Sequence, residues 1–387
     1  MDRQSVGGIP DGVSEQLPHG TYHYKTVFPT IDYLEWMWGR PSEATHDLGS
    51  SDLHGGRDGS GPIPNRLRNL DDPEGITLEE QLASIYDVDG ESVLVTAGAS
   101  TANALATAGA IERTTADPRA LIEKPGYEPL VATPQGFGAA IDRFERPAAT
   151  AYPLDPERIG NALTPSTALV TVTNRHNPSG RAVSRKTLGA TAESVADSGA
   201  CFLVDEVYSP FVLADSVRDG PFGGVSAVGL ENTAITGSLT KFLGLGGLRV
   251  GWVIGDPSVI EDVRRIAPHF PAVADPSRKL GRRALAHWES LATETRTHLE
   301  RNYDRLTTFI ESRDDIEGSV FEGTSFAFVS HEDVDGTHLS EKAWEAGVLV
   351  VPGRFFGDES AVRISLGGSP ATMDAGLAAF GKLLDSL

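Results

Sequence analysis

The chain has 387 residues, 40% of them hydrophobic, enough for roughly two to three domains with substantial cores, and no run approaches the ~20 apolar residues that span a bilayer. Its 54 acidic residues outnumber 33 basic ones for a net charge of −21, which disfavours nucleic acid or an anionic membrane surface as a partner. Only seven residues are Lys, and this Asp-rich, Lys-poor balance resembles cytoplasmic proteins of salt-accumulating microbes, where carboxylates hold water and salt screens their repulsion; an ordinary acidic enzyme is the alternative.

The opening MDRQSVGGIPDG lacks the basic-then-apolar layout of a secretory leader, so a cytoplasmic location is expected. Around YLEWMW (33–38), Ile31, Leu34 and Trp38 fall at helical spacing with Met37 near the same face. That pattern suits either an arm on a partner subunit or a helix on the chain's own core. Residues 46–75, rich in Gly, Asp and Pro, read as a long loop. From about residue 90, apolar runs alternate with helical patterns. ESVLVTAG reads as a strand, followed by the helix STANALATAGAIE. TALVTVTN is a strand, and its helix starts near Ser184, buries Leu188, Ala192 and Val195, and stops at Gly199. ACFLVDEVY, which holds the single Cys201 as a small core residue, and TAITGSLT read as buried strands. RVGWVIG is another, running into Asp256-Pro257, a capping side chain followed by Pro in the first turn. Continuous apolar strands alternating with helices imply an α/β fold with a mainly parallel sheet covered on both faces.

Asp275-Pro276 opens a further pattern, with Leu280, Ala284, Leu291, Leu299, Tyr303, Leu306 and Ile310 on one long or kinked helix. SFAFVS, VLVV and AVRISLG follow as strands, with a helix between the first two and another at the end, which reads as a smaller α+β domain. HEDVDGTHL does not fit a calcium loop and reads as a solvated turn, so no metal site is expected. The expected division is an arm or small-domain segment at 1–45, a large domain at 46–270 and a small domain at 271–387.

In such sheets, ligands sit at the carboxyl ends of the strands. Polar groups collected there are individually modest. Ala99 and Ser100 open a helix whose backbone N–H groups suit an anion, although small residues also serve close packing. Tyr127 follows a strand end, and Asn177 precedes Pro178 in ordinary turn chemistry. Asp205 and Tyr208 follow an apolar strand, where an acid must be paired or protonated. In GSLTKFLGLGGLRVGW stand Ser238, Lys241 and Arg249; this Lys precedes its glycines, so the segment is not a P-loop. A Lys at a buried strand end can lose its proton and act as a Schiff-base nucleophile. Together these groups suit one ligand. It has a phosphate for Ala99, Ser100, Ser238 and Arg249, and a flat ring for Tyr127. It has a ring nitrogen for Asp205, a ring oxygen for Asn177 and Tyr208, and an aldehyde for Lys241. That ligand is pyridoxal 5′-phosphate. Glycines 244, 246 and 247 would turn the chain tightly between Lys241 and Arg249.

In NPSG (177–180), DEVY (205–208), SLTKFLGLGGLRVGW (238–252) and VRISLG (362–367), the chain resembles the class I/II aminotransferases of fold type I, with the motifs in the family's order. The resemblance runs from about residue 90 to the C-terminus. It implies an aspartate aminotransferase-like fold, a homodimer, and transfer of an amino group between an amino acid and a 2-oxo acid. Lys241 would hold the cofactor and shuttle a proton at Cα. Asp205 would keep the ring nitrogen protonated, Asn177 and Tyr208 would bond the ring oxygen, and Tyr127 would stack on the ring. Arg363 would grip the substrate α-carboxylate, with Asn177 beside it. The family's phosphate-contacting Tyr from the neighbouring subunit has no counterpart between Tyr33 and Tyr86; Asn65, Arg66 or Arg68 are the substitutes at hand, and DLGSSDL (47–53) would line the substrate channel. Same-fold decarboxylases, carbon–sulfur lyases and elimination or cyclisation enzymes share these residues. A cofactor-binding regulator or a nucleotide-binding α/β protein are the remaining alternatives.

Overall fold

A strand whose residues are all apolar or small sits stably only where both faces of its sheet are covered. The computed structural model, which describes residues 28–53, 63–114 and 117–387, places these runs in the middle of a seven-stranded sheet. Its strands are β1 (Val93–Thr96), β2 (Arg119–Lys124), β3 (Ala140–Glu145), β4 (Thr167–Thr173), β5 (Cys201–Asp205), β6 (Thr233–Ser238) and β7 (Gly251–Gly255). Their order is β1-β7-β6-β5-β4-β2-β3; β7 runs antiparallel to both neighbours and every other adjacent pair is parallel. The period of two divides each strand between two cores. Phe202 and Val204 join Val172, Ile235 and Trp252 on one side; Cys201 and Leu203 join Leu169, Ala234 and Val253 on the other. Cys201 is a free, buried thiol, pushed up to about 12 by desolvation.

Helices cover these faces where local signals place them. α1 (Ala99–Glu112) leaves β1 directly; its small residues Ala102 and Ala106 let it lie close against the sheet. α2 (Glu128–Gly136) follows β2. α3 (Arg185–Asp197) starts where expected, with Ser184 Oγ accepting from the Thr187 N–H. α4 (Pro257–Ile266) starts after Asp256, whose carboxylate accepts from the Ser258 N–H. β3 escaped the sequence reading because it is an edge strand. Charged Asp142, Arg143 and Glu145 interrupt its apolar residues, and an edge tolerates that.

The pattern opened by Asp275-Pro276 forms two helices, α5 (Asp275–Ala286) and α6 (Trp288–Glu311), separated at His287 by non-helical dihedrals. Asp275 lies in the first turn of α5, whose N-cap is Ala274. Leu280, Ala284, Leu291 and Leu299 pack into the core of the large sheet, whereas Leu306 and Ile310 pack into the C-terminal core. With 24 residues α6 is about 36 Å long and belongs to both.

The C-terminal core is built on a second, antiparallel sheet. Its strands are β8 (Ile316–Ser319), β9 (Phe326–His331), β10 (Val351–Pro352) and β11 (Ala361–Ser365), in the order β10-β11-β9-β8. α7 (Gly336–Glu345) and α8 (Pro370–Leu384) flank it. The turn HEDVDGTHL supplies Asp335, which caps α7 through the N–H groups of Thr337 and His338. VLVV is two short segments. Val348–Leu349 pairs in parallel with His46–Asp47, and Val351–Pro352 is β10. Residues 46–53, read as loop, are therefore tied down, with Leu48, Ser51 and Leu53 buried.

The N-terminal helix Asp32–Met37 turns a different face inward from the one its spacing suggests. Leu34 and Trp38 are 45% and 88% exposed, while Tyr33 is buried. The helix is only six residues long, so periodicity counts for little. Docking falls to Tyr33 and Trp36, which pack edge-on or tilted against Phe355, and to the Tyr33 N–H, which donates to Glu128.

Truncation of Leu299 or Leu306, both fully buried, should each lower unfolding free energy by about 2–5 kcal/mol. Hydrogen exchange should tell them apart. Leu299→Ala should raise exchange in β6 and β7, and Leu306→Ala in β9 and β11.

Candidate active site

The carboxyl ends of β2, β4, β5 and β6 and the start of α1 converge on a cavity of about 180 Å³. All ten residues singled out in the sequence line it: Ala99, Ser100, Tyr127, Asn177, Asp205, Tyr208, Ser238, Lys241, Arg249 and Arg363. Tyr33, Asn103, Thr173, Val207 and Thr240 join them.

At one end, the chain passes Gly98, with φ +88°, into the first turn of α1. A Cβ on Gly98 would collide with the Arg249 guanidinium, and one on Gly251 would collide with the Gly98 backbone, so two glycines set the closeness of β7 to the helix start. Arg249 is itself left-handed, at φ 50°, a conformation that costs a non-glycine residue about 1–3 kcal/mol and is retained mainly at functional sites. Its Nη2 donates to the Ala97 carbonyl at 3.3 Å. Gly244, at φ +66°, makes the turn between Lys241 and Arg249.

At the other end, Asp205 terminates β5 and is 3% exposed. Its carboxylate accepts from Asn103 Nδ2 at 2.9 Å and from the Val207 N–H at 3.1 Å, and Asn103 is fixed in turn by Thr236 Oγ1 at 2.6 Å. Burial pushes the Asp205 carboxyl above its ordinary value, with Asn103, Val207 and Lys241 working against it. Two neutral donors leave this buried anion without a cation in contact, a cost that a positively charged ring nitrogen would remove.

Between the two ends lie Lys241 and Tyr208. Ser51, from the segment 47–53, is 2.6 Å from the Tyr208 hydroxyl and accepts from Lys241 Nζ at 3.3 Å. The Leu53 N–H donates to the Lys241 carbonyl at 2.8 Å. Tyr127 meets Tyr33 edge to face, with ring centroids 5.4 Å apart. Arg363, in the interior strand β11, is 1% exposed. It donates to Asn177 Oδ1 at 2.8 Å, the Gly49 carbonyl at 3.1 Å and the Tyr33 hydroxyl at 3.4 Å. Its Nε has no partner, and among the described residues no carboxylate lies within ion-pair distance.

Asn177 is positioned from behind. Its N–H donates to Thr173 Oγ1 at 2.9 Å, and Thr173 donates through both N–H and Oγ1 to Glu123. Glu123 is paired at 2.6 Å with the fully buried Arg146. The candidates for a cross-subunit phosphate contact are placed elsewhere. Arg66 is spent on the Leu243 carbonyl and Thr295, and Asn65 and Arg68 are exposed.

A lysine, a buried acid and a glycine-lined helix start gathered at the strand ends of such a sheet suit the cofactor site of a pyridoxal 5′-phosphate enzyme of fold type I. Residues 66–380 match the family described as aminotransferase class I and II, and the chain belongs to that family. Capreomycidine synthase of Streptomyces vinaceus is 29% identical over 377 residues, 92% of this chain and 94% of that one. Histidinol-phosphate aminotransferase of Chromohalobacter salexigens is 29% identical over 317 residues, 78% of this chain and 81% of that one. Among solved structures, a pyridoxal phosphate-dependent aminotransferase from Streptococcus suis superposes with a TM-score of 0.77 at 24% identity, covering 93% of this chain and 98% of that one. An aspartate aminotransferase from Thermotoga maritima gives 0.76 at 18%, covering 92% and 98%. These superpositions establish the fold.

Removing one partner of the Glu123–Arg146 pair strands a buried charge. Glu123→Ala should cost about 3–5 kcal/mol of stability, measured by denaturant unfolding, and Glu123→Leu/Arg146→Met should recover only part of it, because the Thr173 N–H and Oγ1 still lose their buried acceptor.

Proposed function

We propose that the chain transfers an amino group between an amino acid and a 2-oxo acid in a ping-pong cycle, with Lys241, Asp205 and Tyr208 as its catalytic groups. The observation that carries this reading is a buried guanidinium, Arg363, with no carboxylate partner, lining the same cavity as Lys241 and Asp205. When bound, pyridoxal 5′-phosphate supplies an aldehyde that condenses with amines and a ring that draws electrons from the amino acid's Cα. The chain's residues do the rest. Ala99, Ser100, Ser238 and Arg249 hold the phosphate, and Tyr127 covers a face of the ring. Asp205 retains a proton on the ring nitrogen. Asn177 and Tyr208 hydrogen-bond the ring oxygen. Arg363 and Asn177 fix the substrate carboxylate and so present Cα–H to Lys241, which moves the proton.

A second reading, a same-fold elimination or cyclisation enzyme, has one observation behind it. The relative matched over 92% of this chain is named as a synthase rather than an aminotransferase. The same cofactor residues serve both.

We further propose the division expected from the sequence, residues 46–270 as the cofactor-binding domain and 271–387 as the small domain, except that Leu48 packs into the small core and α5 with the first half of α6 into the large one. The exposed Leu34 and Trp38 support an N-terminal arm lying on the partner subunit of a homodimer. The net charge of −21 and the seven Lys support a cytoplasmic enzyme of a salt-accumulating cell.

Adding amino acids singly to the cofactor-loaded enzyme should shift its absorbance to the pyridoxamine form for at least one donor. Release of ammonia without that shift for every active substrate would establish the second reading instead. Lys241→Ala should lower turnover by about three orders of magnitude or more, and near-normal activity would sink the mechanism. Arg363→Lys should raise KM for the amino acid by about tenfold or more. Raising KCl from dilute buffer into the molar range should raise the thermal midpoint, because screening relieves the repulsion of the acidic surface.

A further inference from the structure

Four arginines, Arg175, Arg181, Arg185 and Arg218, line a second cleft of about 600 Å³ that is distinct from the cofactor cavity. In a chain of net charge −21 that concentration of one sign stands out. Arginines elsewhere, such as Arg119, Arg283 and Arg313, sit directly on carboxylates. Among the described residues, none of these four lies within ion-pair distance of a carboxylate. The one acid on the wall, Glu322, accepts instead from Ser216 Oγ.

Arg175 is 7% exposed, and its Nε has no hydrogen-bond partner among the described residues. Its Nη1 donates only to neutral carbonyls, of Glu322 at 2.5 Å and Gly180 at 3.3 Å. Arg181 donates to the carbonyls of Thr150 and Ala151, and Arg185 to that of Ser226. Guanidinium groups that donate only to carbonyls keep their positive charge, and for Arg175, the buried one of the four, that charge is costly without an anion. Ser184, the N-cap of the thirteen-residue α3, is also on the wall, so the positive end of that helix adds to the field. The volume falls in the range of small-molecule sites.

The cleft joins both domains. Phe321 and Glu322 come from the turn between β8 and β9, and the arginines come from segments after β4 and β5. Arg181 lies 5.8 Å over the Phe321 ring, and Arg175 holds the Glu322 carbonyl. Arg175 is also two residues from Asn177 in the same turn, and Asn177 bonds Arg363.

We propose that this cleft is an effector site for a small polyanion, a metabolite carrying phosphate or clustered carboxylate groups. Such a ligand engages guanidinium groups bidentately and ties the small-domain turn to the turn bearing Asn177. Its binding is therefore linked to amino-acid binding at Arg363, and the linkage is reciprocal.

The test uses holoenzyme reduced with borohydride, so that a covalently held cofactor fills the phosphate end of the active site. Pyrophosphate and citrate are titrated separately by calorimetry at constant ionic strength. One saturable site per chain is expected for at least one of them. Tighter pyrophosphate assigns a phosphorylated effector and tighter citrate a polycarboxylate. Arg181→Gln/Arg218→Gln should weaken binding at least tenfold, with the cofactor absorbance unchanged. Arg218→Gln alone, at an exposed position, should weaken it about threefold and guards against a double variant that fails to fold. The proposal is overturned if neither anion saturates, if the variants bind as tightly as the parent, or if Arg363→Lys abolishes binding, which would place the anion in the active site.

Discussion

The architecture of the site depends on one buried cation. Arg363 sits in the interior of the small sheet, almost fully excluded from water, over the Phe356 ring at 5.2 Å, and its hydrogen bonds go only to neutral oxygens. Those oxygens come from three separate stretches: Tyr33 of the N-terminal helix, Gly49 of the tied-down segment, and Asn177 of the turn after β4. A guanidinium has five donors in a fixed fork, so it imposes geometry on whatever surrounds it. Neutral acceptors satisfy its hydrogen bonds without cancelling its charge. The result is a pocket assembled from distant pieces of chain, and the unspent charge suits a carboxylate.

Asp205 poses the mirror-image problem elsewhere in the same cavity. Its carboxylate is buried at the end of a central strand and supported by an amide and a backbone N–H. With these two isolated charges stands Lys241, the only Lys lining the cavity. A surface dense in carboxylates surrounds a catalytic interior whose charges are few, buried and separately held. Salt screens the surface strongly and the interior weakly, so the two respond differently to the same change of medium.

Much of the site was legible because chemistry at strand ends breaks a local rule. An acid after an apolar strand and a Lys in a Lys-poor chain each contradict their surroundings, whereas Arg363 is marked only by the family resemblance. Residues that obey local rules gave no such signal. Asn103 and Thr173 read as an ordinary helix and strand residue, yet one fixes Asp205 and the other holds the Asn177 backbone. Tyr33 was hidden because six residues are too few for a periodic face to be decisive, and long-range docking overrode the spacing. Ser51 lay in a segment that Gly and Asp made look like loop, and only pairing with a strand 300 residues later ties it down. The edge strands β3 and β8 were obscured for a related reason, since an edge admits charges that interrupt an apolar run.

α6 enters the core of the large sheet with Leu291 and Leu299 and that of the small sheet with Leu306 and Ile310, in one unbroken run of backbone hydrogen bonds. A free hinge between the two bodies would have to snap that rod. Relative movement is thereby confined to shear, in which side chains slide past one another by fractions of a helical turn while the rod stays whole. A cavity walled from both cores would accordingly be adjusted less like a jaw than like a vernier, by small displacements along a fixed axis.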